Sequence, residues 1–338
     1  MEYAKMKGLN RQASRIGLGT WAIGGLMWGG TDEREALETI RTALEHGITL
    51  IDTAPIYGLG RAETLVGRAL AQYHKRKDVI IATKVGLEWH KGQVFRNSTR
   101  ARIMKEIDDS LRRLQTDYID IYQVHWPDPL VPIEETAATM HQLYKQGKIR
   151  AIGVSNYSVE QLNLFQQAAP LHTAQPAYNL FEREVEGALL PYCLTHGVST
   201  LTYGSLCRGL LSGKMNPGTE FQGDDVRKID PKFQPPRYAQ YLKAVERLDR
   251  FAQEHYGKHV LELAVRWTLD QPFVTVALWG ARHPDQLKPL AAISGWTLNT
   301  SALRAIGEII RDSVTDPVGP EFMAPSVRSL VTEQQLSA

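Results

Sequence analysis

Short apolar runs rich in β-branched residues alternate with longer amphipathic segments along most of the 338-residue chain. The short runs have the length and composition of buried strands, and the longer segments repeat apolar residues at helical spacing. Polar residues and glycines mark the helix ends: Thr31 or Asp32 caps a helix that Gly47 closes. The predicted strands are 16–21, 48–52, 79–84, 118–125, 149–156, 174–176, 198–203 and 274–279.

This alternation predicts an α/β protein in which eight strand–helix units close a (β/α)8 TIM barrel. The length allows two domains, but a single barrel over residues 1–338 accounts for the whole pattern. A doubly wound sheet is the competing architecture. Its dinucleotide fingerprint G-x-G-x-x-G is absent, and Gly17-Leu18-Gly19 lacks the third glycine.

Two segments depart from the alternation. Residues 209–238 are rich in Gly, Pro, Asp and Lys, and so long an irregular stretch predicts a functional loop or lid. The tail from about residue 315 carries several prolines. We expect it to lie over one mouth of the barrel or to be disordered.

Composition narrows the class of function. The formal net charge is +2, so no bulk electrostatic attraction to nucleic acid or to a membrane is implied. The two cysteines, Cys193 and Cys207, provide neither metal-ligand spacing nor a disulfide framework. The N-terminus lacks a signal-peptide pattern, and no apolar run is long enough to span a bilayer. We therefore expect a soluble cytoplasmic protein, either a monomer or a small homo-oligomer.

Four ionisable side chains stand at or just after consecutive strand ends, where the active site of such a barrel lies: Asp52, Tyr57, Lys84 and His125. Each alone is ordinary, since a tyrosine near a turn packs, a terminal lysine is solvated and a histidine is often satisfied in a core. Their clustering favours a functional site.

The physical chemistry gives this set one task. A free phenol has a pKa of about 10, and an adjacent ammonium such as Lys84 lowers it by stabilising the phenolate. Asp52 holds Lys84 in place, and His125 orients a substrate carbonyl. The arrangement suits protonation of a forming alkoxide. It does not suit acyl transfer, because no nucleophile with an adjacent base is present, and no His or Cys pair has metal-ligand spacing.

These residues and their context resemble the aldo-keto reductases, most closely a bacterial NADPH-dependent branch that includes a general stress protein of Bacillus type. Potassium-channel β subunits are more distantly similar. The resemblance covers nearly the whole chain and rests on Gly19-Thr20-Trp21, Asp52-Thr53-Ala54, Tyr57-Gly58, Thr83-Lys84, Val124-His125-Trp126, Gly153-Val154-Ser155-Asn156, Gln175-Pro176, Tyr203-Gly204-Ser205-Leu206, Gly209 to Lys214 and Gly280-Ala281-Arg282.

The resemblance implies reduction of small-molecule aldehydes or ketones with NADP(H), with Tyr57 as proton donor and Asp52, Lys84 and His125 as its partners. Asp52 also counts among the cofactor contacts. Ser155, Asn156 and Gln175 match positions that hold the nicotinamide carboxamide, Tyr203 matches the residue that stacks on the nicotinamide ring, and Thr20 and Trp21 match the wall where substrate and cofactor meet.

The remaining expected contacts lie at the phosphate end of the cofactor. Residues Gly204, Ser205, Leu206, Cys207 and Arg208 leave a strand with backbone N–H groups that suit a pyrophosphate, and Gly280 and Ala281 follow the last strand. Lys214 and Arg227 are either cofactor-covering residues or ordinary solvated loop charges. Arg282 suits a 2′-phosphate and Gln286 the adenine. Lys288-Pro289-Leu290 replaces an Asn common in the family.

Two alternatives remain open. One is a subunit that senses the nicotinamide redox state with little turnover, and the other is a reductase of one vitamin or sugar carbonyl. Trp21, Trp89 and Trp126 are either walls of a substrate pocket or packing residues.

Overall fold

The computed structural model describes residues 1–328, and within them eight parallel strands form a closed barrel. Each barrel strand pairs with its neighbours in chain order, and the eighth pairs with the first. The predicted (β/α)8 TIM barrel is therefore confirmed. Its strands are β1 (Ile16–Gly19), β2 (Leu50–Asp52), β3 (Ile80–Val85), β4 (Ile119–Val124), β5 (Ile149–Ser155), β6 (Thr173–Gln175), β7 (Ser199–Thr202) and β8 (Val276–Gly280).

The barrel strands are buried on both faces, which explains why they appear in the sequence as nearly continuous apolar runs. Leu50, Ile80, Ile121 and Val276 fill the barrel interior, and the alternate residues pack outward against the helices. The helices are Trp21–Gly24, Glu33–Glu45, Arg61–Gln72, Arg100–Leu114, Ile133–Lys145, Val159–Ala168, Leu189–Thr195, Arg237–Tyr256, Val260–Leu269 and Thr300–Ser313, with a 3-10 segment at Pro284–Ala292.

Two small sheets were not anticipated from the sequence. An N-terminal hairpin pairs Tyr3–Lys5 with Gln12–Ser14, and Met6 and Ala13 pack against the barrel interior from below. A rim hairpin pairs Leu87–His90 with Gln93–Arg96, and the tail strand Ser326–Val327 adds to it. These strands are too short for a periodic pattern to reveal, and the tail pairing joins distant parts of the chain.

The irregular segment 209–238 lies against the loop that follows β1. The Asp224 carboxylate accepts hydrogen bonds from the backbone N–H groups of Met27 (2.7 Å) and Gly29 (3.0 Å), and the Val226 N–H donates to the Met27 carbonyl (2.9 Å). The tail is held to the same end of the barrel by the Arg328–Asp128 ion pair (3.2 Å). Residues 329–338 of the predicted tail lie outside the described part of the chain.

Candidate active site

Asp52 and Lys84 meet inside the mouth of the barrel because β2 and β3 are neighbours. The Lys84 Nζ lies 2.5 Å from Asp52 Oδ1, 3.0 Å from the Thr53 carbonyl oxygen and 3.1 Å from the Tyr57 hydroxyl. Lys84 is 0% exposed and Asp52 is 3% exposed. The ammonium therefore links the carboxylate to the phenol in a region that water barely enters.

A close backbone approach positions Tyr57. The turn Trp21–Gly24 packs against the Tyr57–Gly58 backbone, and a Cβ on Gly58 would lie 2.2 Å from the Gly24 carbonyl oxygen. Gly58 also has φ +62°, a conformation that favours glycine. The contact brings the Trp21 and Tyr57 rings into a stacked arrangement with centroids 6.2 Å apart. The two glycines thus hold the phenol at the cleft wall.

His125 follows the last residue of β4, and its backbone N–H donates to the Val85 carbonyl (2.8 Å). Its ring stands nearly perpendicular to the Tyr57 ring, with centroids 5.8 Å apart. Withdrawal from water, assisted by the charge of Lys84, holds the pKa of His125 well below its ordinary value. The imidazole is therefore neutral near pH 7, and it can donate a hydrogen bond without adding a charge.

The electrostatics of Tyr57 correct one expectation. Burial raises the pKa of the Tyr57 phenol, Lys84 lowers it, and Asp52 raises it again, so the net direction is upward. Burial disfavours the Lys84 ammonium, but Asp52 and Tyr57 together raise the pKa of Lys84 above its ordinary value. Lys84 thus stays protonated. It limits the rise in the Tyr57 pKa that burial causes, but it does not bring that pKa below the ordinary value of a phenol.

Ser155, Asn156 and Gln175, the residues matched to the nicotinamide carboxamide, form a hydrogen-bonded set beside the proton-transfer residues. Gln175 Nε2 donates to Asp52 Oδ2 (2.8 Å), and Ser155 Oγ donates to the Gln175 carbonyl (2.8 Å). Asn156 Nδ2 donates to the His125 carbonyl (3.0 Å), and the Tyr203 hydroxyl donates to Asn156 Oδ1 (2.9 Å). The carboxamide positions and the proton-transfer positions therefore share partners.

A cleft of about 660 Å³ runs from Tyr57 across the barrel mouth to Arg282. Of the predicted site residues, Lys84 lies behind Tyr57, and Cys207 and Ala281 are buried outside the cleft wall. Burial raises the pKa of the Cys207 thiol to about 12. The structure brings to the wall Thr20, Trp21, Asp52, Tyr57, His125, Ser155, Asn156, Gln175, Tyr203, Gly204, Ser205, Leu206, Arg208, Lys214, Arg227, Gly280, Arg282 and Gln286.

The Arg208 guanidinium lies in a buried ion cluster instead of pointing into the cleft. It donates to Glu182 Oε1 (2.6 Å) and Asp230 Oδ2 (2.5 Å), and Lys232 Nζ lies 2.9 Å from the same Glu182 oxygen. Despite burial, the two cations hold the pKa of Glu182 below its ordinary value. The side chain of Arg208 thus ties its loop to the segment 209–238.

The arginines expected at the phosphate end of the cofactor contact backbone carbonyl, carboxylate and aromatic groups of the protein. Arg282 Nη1 donates to the Trp28 carbonyl (2.5 Å) and Nε contacts His283 Nε2 (3.1 Å). Arg227 pairs with Asp225 and lies over the Trp28 ring at 5.3 Å. The Gln286 amide oxygen accepts from the N–H groups of Arg282 and His283, which caps the 3-10 segment.

Of the three tryptophans considered as pocket walls or packing residues, Trp21 and Trp126 line the cleft, whereas the Trp89 ring lies under the Arg102 guanidinium at 5.6 Å.

Other residues of the site were not singled out from the sequence. Gln123 is a polar residue within an apolar strand, a signal that was present in the sequence. Trp28 and the tail residues Phe322, Met323, Ala324 and Pro325 complete the wall, and no local pattern marks them.

Two further properties concern the described residues 1–328. No group of three or more His, Cys, Asp or Glu side chains in this range is arranged to hold a metal ion. No helix in the same range is long and apolar enough to cross a membrane.

Comparison with known proteins identifies the family. The profile of the Aldo/keto reductase family matches residues 15–311. The aldo-keto reductase YhdN of Bacillus subtilis is 61% identical over 97% of this chain and 99% of its own length, and the NADH-specific methylglyoxal reductase of Escherichia coli is 36% identical over 81% of this chain and 88% of its own. The structure of the glycerol dehydrogenase AKR11B4 from Gluconobacter oxydans is similar, with a TM-score of 0.86, 49% identity, and coverage of 95% of this chain and 99% of that one. This chain belongs to the aldo/keto reductase family of oxidoreductases, which act on small-molecule carbonyl compounds.

Proposed function

We propose that this protein reduces aldehydes or ketones to alcohols with NADPH and that Tyr57 is the proton donor. One observation carries the proposal. The Lys84 ammonium bridges the Tyr57 hydroxyl (3.1 Å) and the Asp52 carboxylate (2.5 Å) at one end of a cleft that ends at Arg282. Burying an ammonium is costly even when it is paired, so an ammonium held against a buried phenol at the end of a cleft favours a functional role over a packing role.

The side chains divide the work of the reaction. The reduced nicotinamide supplies the hydride when it is bound. The neutral His125 imidazole donates a hydrogen bond that orients the carbonyl oxygen beside Tyr57. The Tyr57 hydroxyl donates its proton to that oxygen as negative charge develops there. Lys84 stabilises the phenolate that remains, and Asp52 holds Lys84 in position.

The residues of the cleft fit a nicotinamide dinucleotide. Amide and hydroxyl groups of Ser155, Asn156 and Gln175 would hold the carboxamide, and the Tyr203 ring would stack on the nicotinamide. At the far end, Arg282 would bind a 2′-phosphate, because a guanidinium matches the geometry of phosphate oxygens. This cation is the basis for preferring NADPH over NADH.

We further propose a cytoplasmic setting and a contribution to stress detoxification, both of which rest on the resemblance to the bacterial branch. The expected assembly is a monomer or a small homo-oligomer, acting on a small-molecule carbonyl substrate. The cytosol supplies the reduced dinucleotide that the reaction consumes.

The test is cofactor oxidation followed at fixed NADPH, then at fixed NADH, with short aldehydes, aromatic aldehydes and aldoses. We expect turnover of aldehydes with NADPH and a higher KM for NADH. Tight NADPH binding with negligible turnover across the whole panel would contradict the proposal and favour the redox-sensing subunit. Turnover restricted to aldoses would favour a reductase of one sugar carbonyl.

A further inference from the structure

The second oxygen of Asp52 has partners of its own. Lys84 occupies Oδ1, while Oδ2 accepts from Gln175 Nε2 (2.8 Å) and from Gln123 Nε2 (3.4 Å). Gln123 is 0% exposed and lies two residues after Ile121, which fills the barrel interior, so the Gln123 side chain belongs to the inner face of β4. A buried glutamine inside the barrel has to find partners, and Asp52 and Gln175 provide them.

An ionised carboxylate only accepts hydrogen bonds, so Asp52 determines which end of the Gln123 and Gln175 side-chain amides points toward it. Asp52 Oδ2 accepts hydrogen bonds and donates none, so Gln123 and Gln175 both present their NH₂ groups to it. The Gln175 NH₂ also lies 3.4 Å from Gln123 Oε1, which accepts its second hydrogen. The side-chain amide oxygen of Gln175 takes no part in these contacts, and Gln175 is one of the residues that line the cleft.

The strand next to β4 makes room for Gln123. Gly153 on β5 is paired with Gln123 on one side and with Thr173 of β6 on the other. A Cβ on Gly153 would lie 2.8 Å from Gln123 Cγ and 2.2 Å from Thr173 Oγ1. A side chain at position 153 would therefore displace Gln123 from Asp52, which gives the glycine of the motif Gly153-Val154-Ser155-Asn156 a physical role.

From these contacts we infer that Gln123 is a positioning residue for proton transfer, which holds Asp52 through Oδ2 so that Oδ1 remains on Lys84. This inference rests on the proposed function of Tyr57 as the proton donor. Gln123 itself does not reach Tyr57, and it acts through Asp52 and Lys84. Without its NH₂ group, the Asp52 charge is less compensated and opposes ionisation of the phenol more strongly.

The test compares Gln123→Met with Tyr122→Phe. Methionine keeps the unbranched stem of Gln123 and removes its amide. Tyr122 is the preceding residue, buried on the outer face of the same strand, and its hydroxyl has no hydrogen-bond partner in the described structure. Tyr122→Phe therefore controls for a disturbance of β4. The measured quantities are kcat for aldehyde reduction, KM for NADPH, and the pH profile of alcohol oxidation. The rate of alcohol oxidation rises with pH as the Tyr57 phenolate forms, and the midpoint of this rising limb is measured.

For Gln123→Met we expect kcat to fall about tenfold, the lower end of the range for a hydrogen bond to a charged group because the bond is long. KM for NADPH should change by less than about threefold, and the midpoint of the rising limb should move to higher pH by about half a unit or more. Tyr122→Phe should show neither change. A Gln123→Met enzyme that matches Tyr122→Phe in kcat and in pH limb overturns the inference.

Gln123→Glu provides the test if the methionine variant does not fold. It keeps the shape of the side chain, and beside the buried Asp52 carboxylate the new carboxyl group either stays protonated and donates to Asp52 as the amide does, or ionises and moves the limb further upward. A limb that moves downward overturns the inference. Tyr57→Phe distinguishes a failure of the proposed function from a failure of the role of Gln123. Retained turnover in Tyr57→Phe removes the proposed function, whereas an inactive Tyr57→Phe together with an overturning result for Gln123→Met or Gln123→Glu removes only the role of Gln123.

Discussion

Replacement of Lys84 by methionine separates stability from catalysis at this site. The change keeps the apolar stem, which is 0% exposed, and removes the ammonium that contacts Asp52 (2.5 Å), the Thr53 carbonyl (3.0 Å) and the Tyr57 hydroxyl (3.1 Å). Asp52 then remains as a buried carboxylate whose side-chain partners among residues 1–328 are the amide groups of Gln123 and Gln175. Both folding and turnover should suffer, for different reasons.

The structure sets the size of each loss. Removing one partner of a buried ion pair costs about 3–5 kcal/mol, and the two amide donors on Asp52 place this case at about 3 kcal/mol. At 3.1 Å and an effective dielectric constant of about 20, the ammonium stabilises a phenolate by about 5 kcal/mol. That energy corresponds to a pKa change of about three to four units, so we expect kcat to fall about a thousandfold.

The assay adds Asp52→Asn to Lys84→Met. Urea unfolding measures stability, and NADPH oxidation with an aldehyde measures kcat. The double variant carries no unpaired carboxylate, so it should regain most of the lost stability, while turnover stays far below the wild type because no ammonium stabilises the phenolate. Turnover within about tenfold of the wild type, in Lys84→Met or in the double variant, would refute the reasoning.

Three further predictions concern the cofactor, the pH dependence and the buried ion cluster. Arg282→Met should raise KM for NADPH by about tenfold or more and leave KM for NADH unchanged, which steady-state kinetics with both cofactors would show. Because the folded-state pKa of His125 lies below its unfolded value, this residue takes up a proton on unfolding as pH falls through about 6.5, so it contributes a decline in stability toward acid pH with a slope of at most about 1.4 kcal/mol per pH unit. His125→Gln should flatten that decline in urea unfolding measured at about pH 7.5 and about pH 5.5. Arg208→Met leaves Asp230 without its guanidinium and should cost about 3 kcal/mol in unfolding free energy, with a smaller loss for Arg208→Lys.

The barrel and the cluster of Tyr57 with Asp52, Lys84 and His125 could be predicted from the sequence because their signals are local. Each barrel strand buries both faces, so its apolar run marks its position to within a few residues. Parallel strands bring their C-terminal ends to one edge, so Asp52, Lys84 and His125 had to be neighbours once the fold was known. Because the barrel strands are adjacent in chain order, the order of these residues in the sequence also gives their order around the barrel mouth.

What the sequence did not predict depends on contacts between distant segments. The cation Arg208 follows a strand that leads into the cleft, yet Glu182 and Asp230, from two other loops, draw its side chain inward. The net rise of the Tyr57 pKa depends on how deeply the loop buries the phenol, and spacing in the sequence does not report burial. The rim hairpin gains its third strand only when the tail returns to it.

The most direct measurement of the central claim is a single-turnover reaction of Tyr57→Phe with NADPH and an aldehyde, together with the Kd for NADPH from fluorescence titration. The ring that packs against Trp21 is kept, so Kd should stay within about threefold of the wild-type value. The rate of NADPH oxidation should fall by about a thousandfold, because the hydroxyl that donates the proton is gone. A rate close to that of the wild type, with NADPH bound as tightly, would contradict the assignment of Tyr57 as the proton donor.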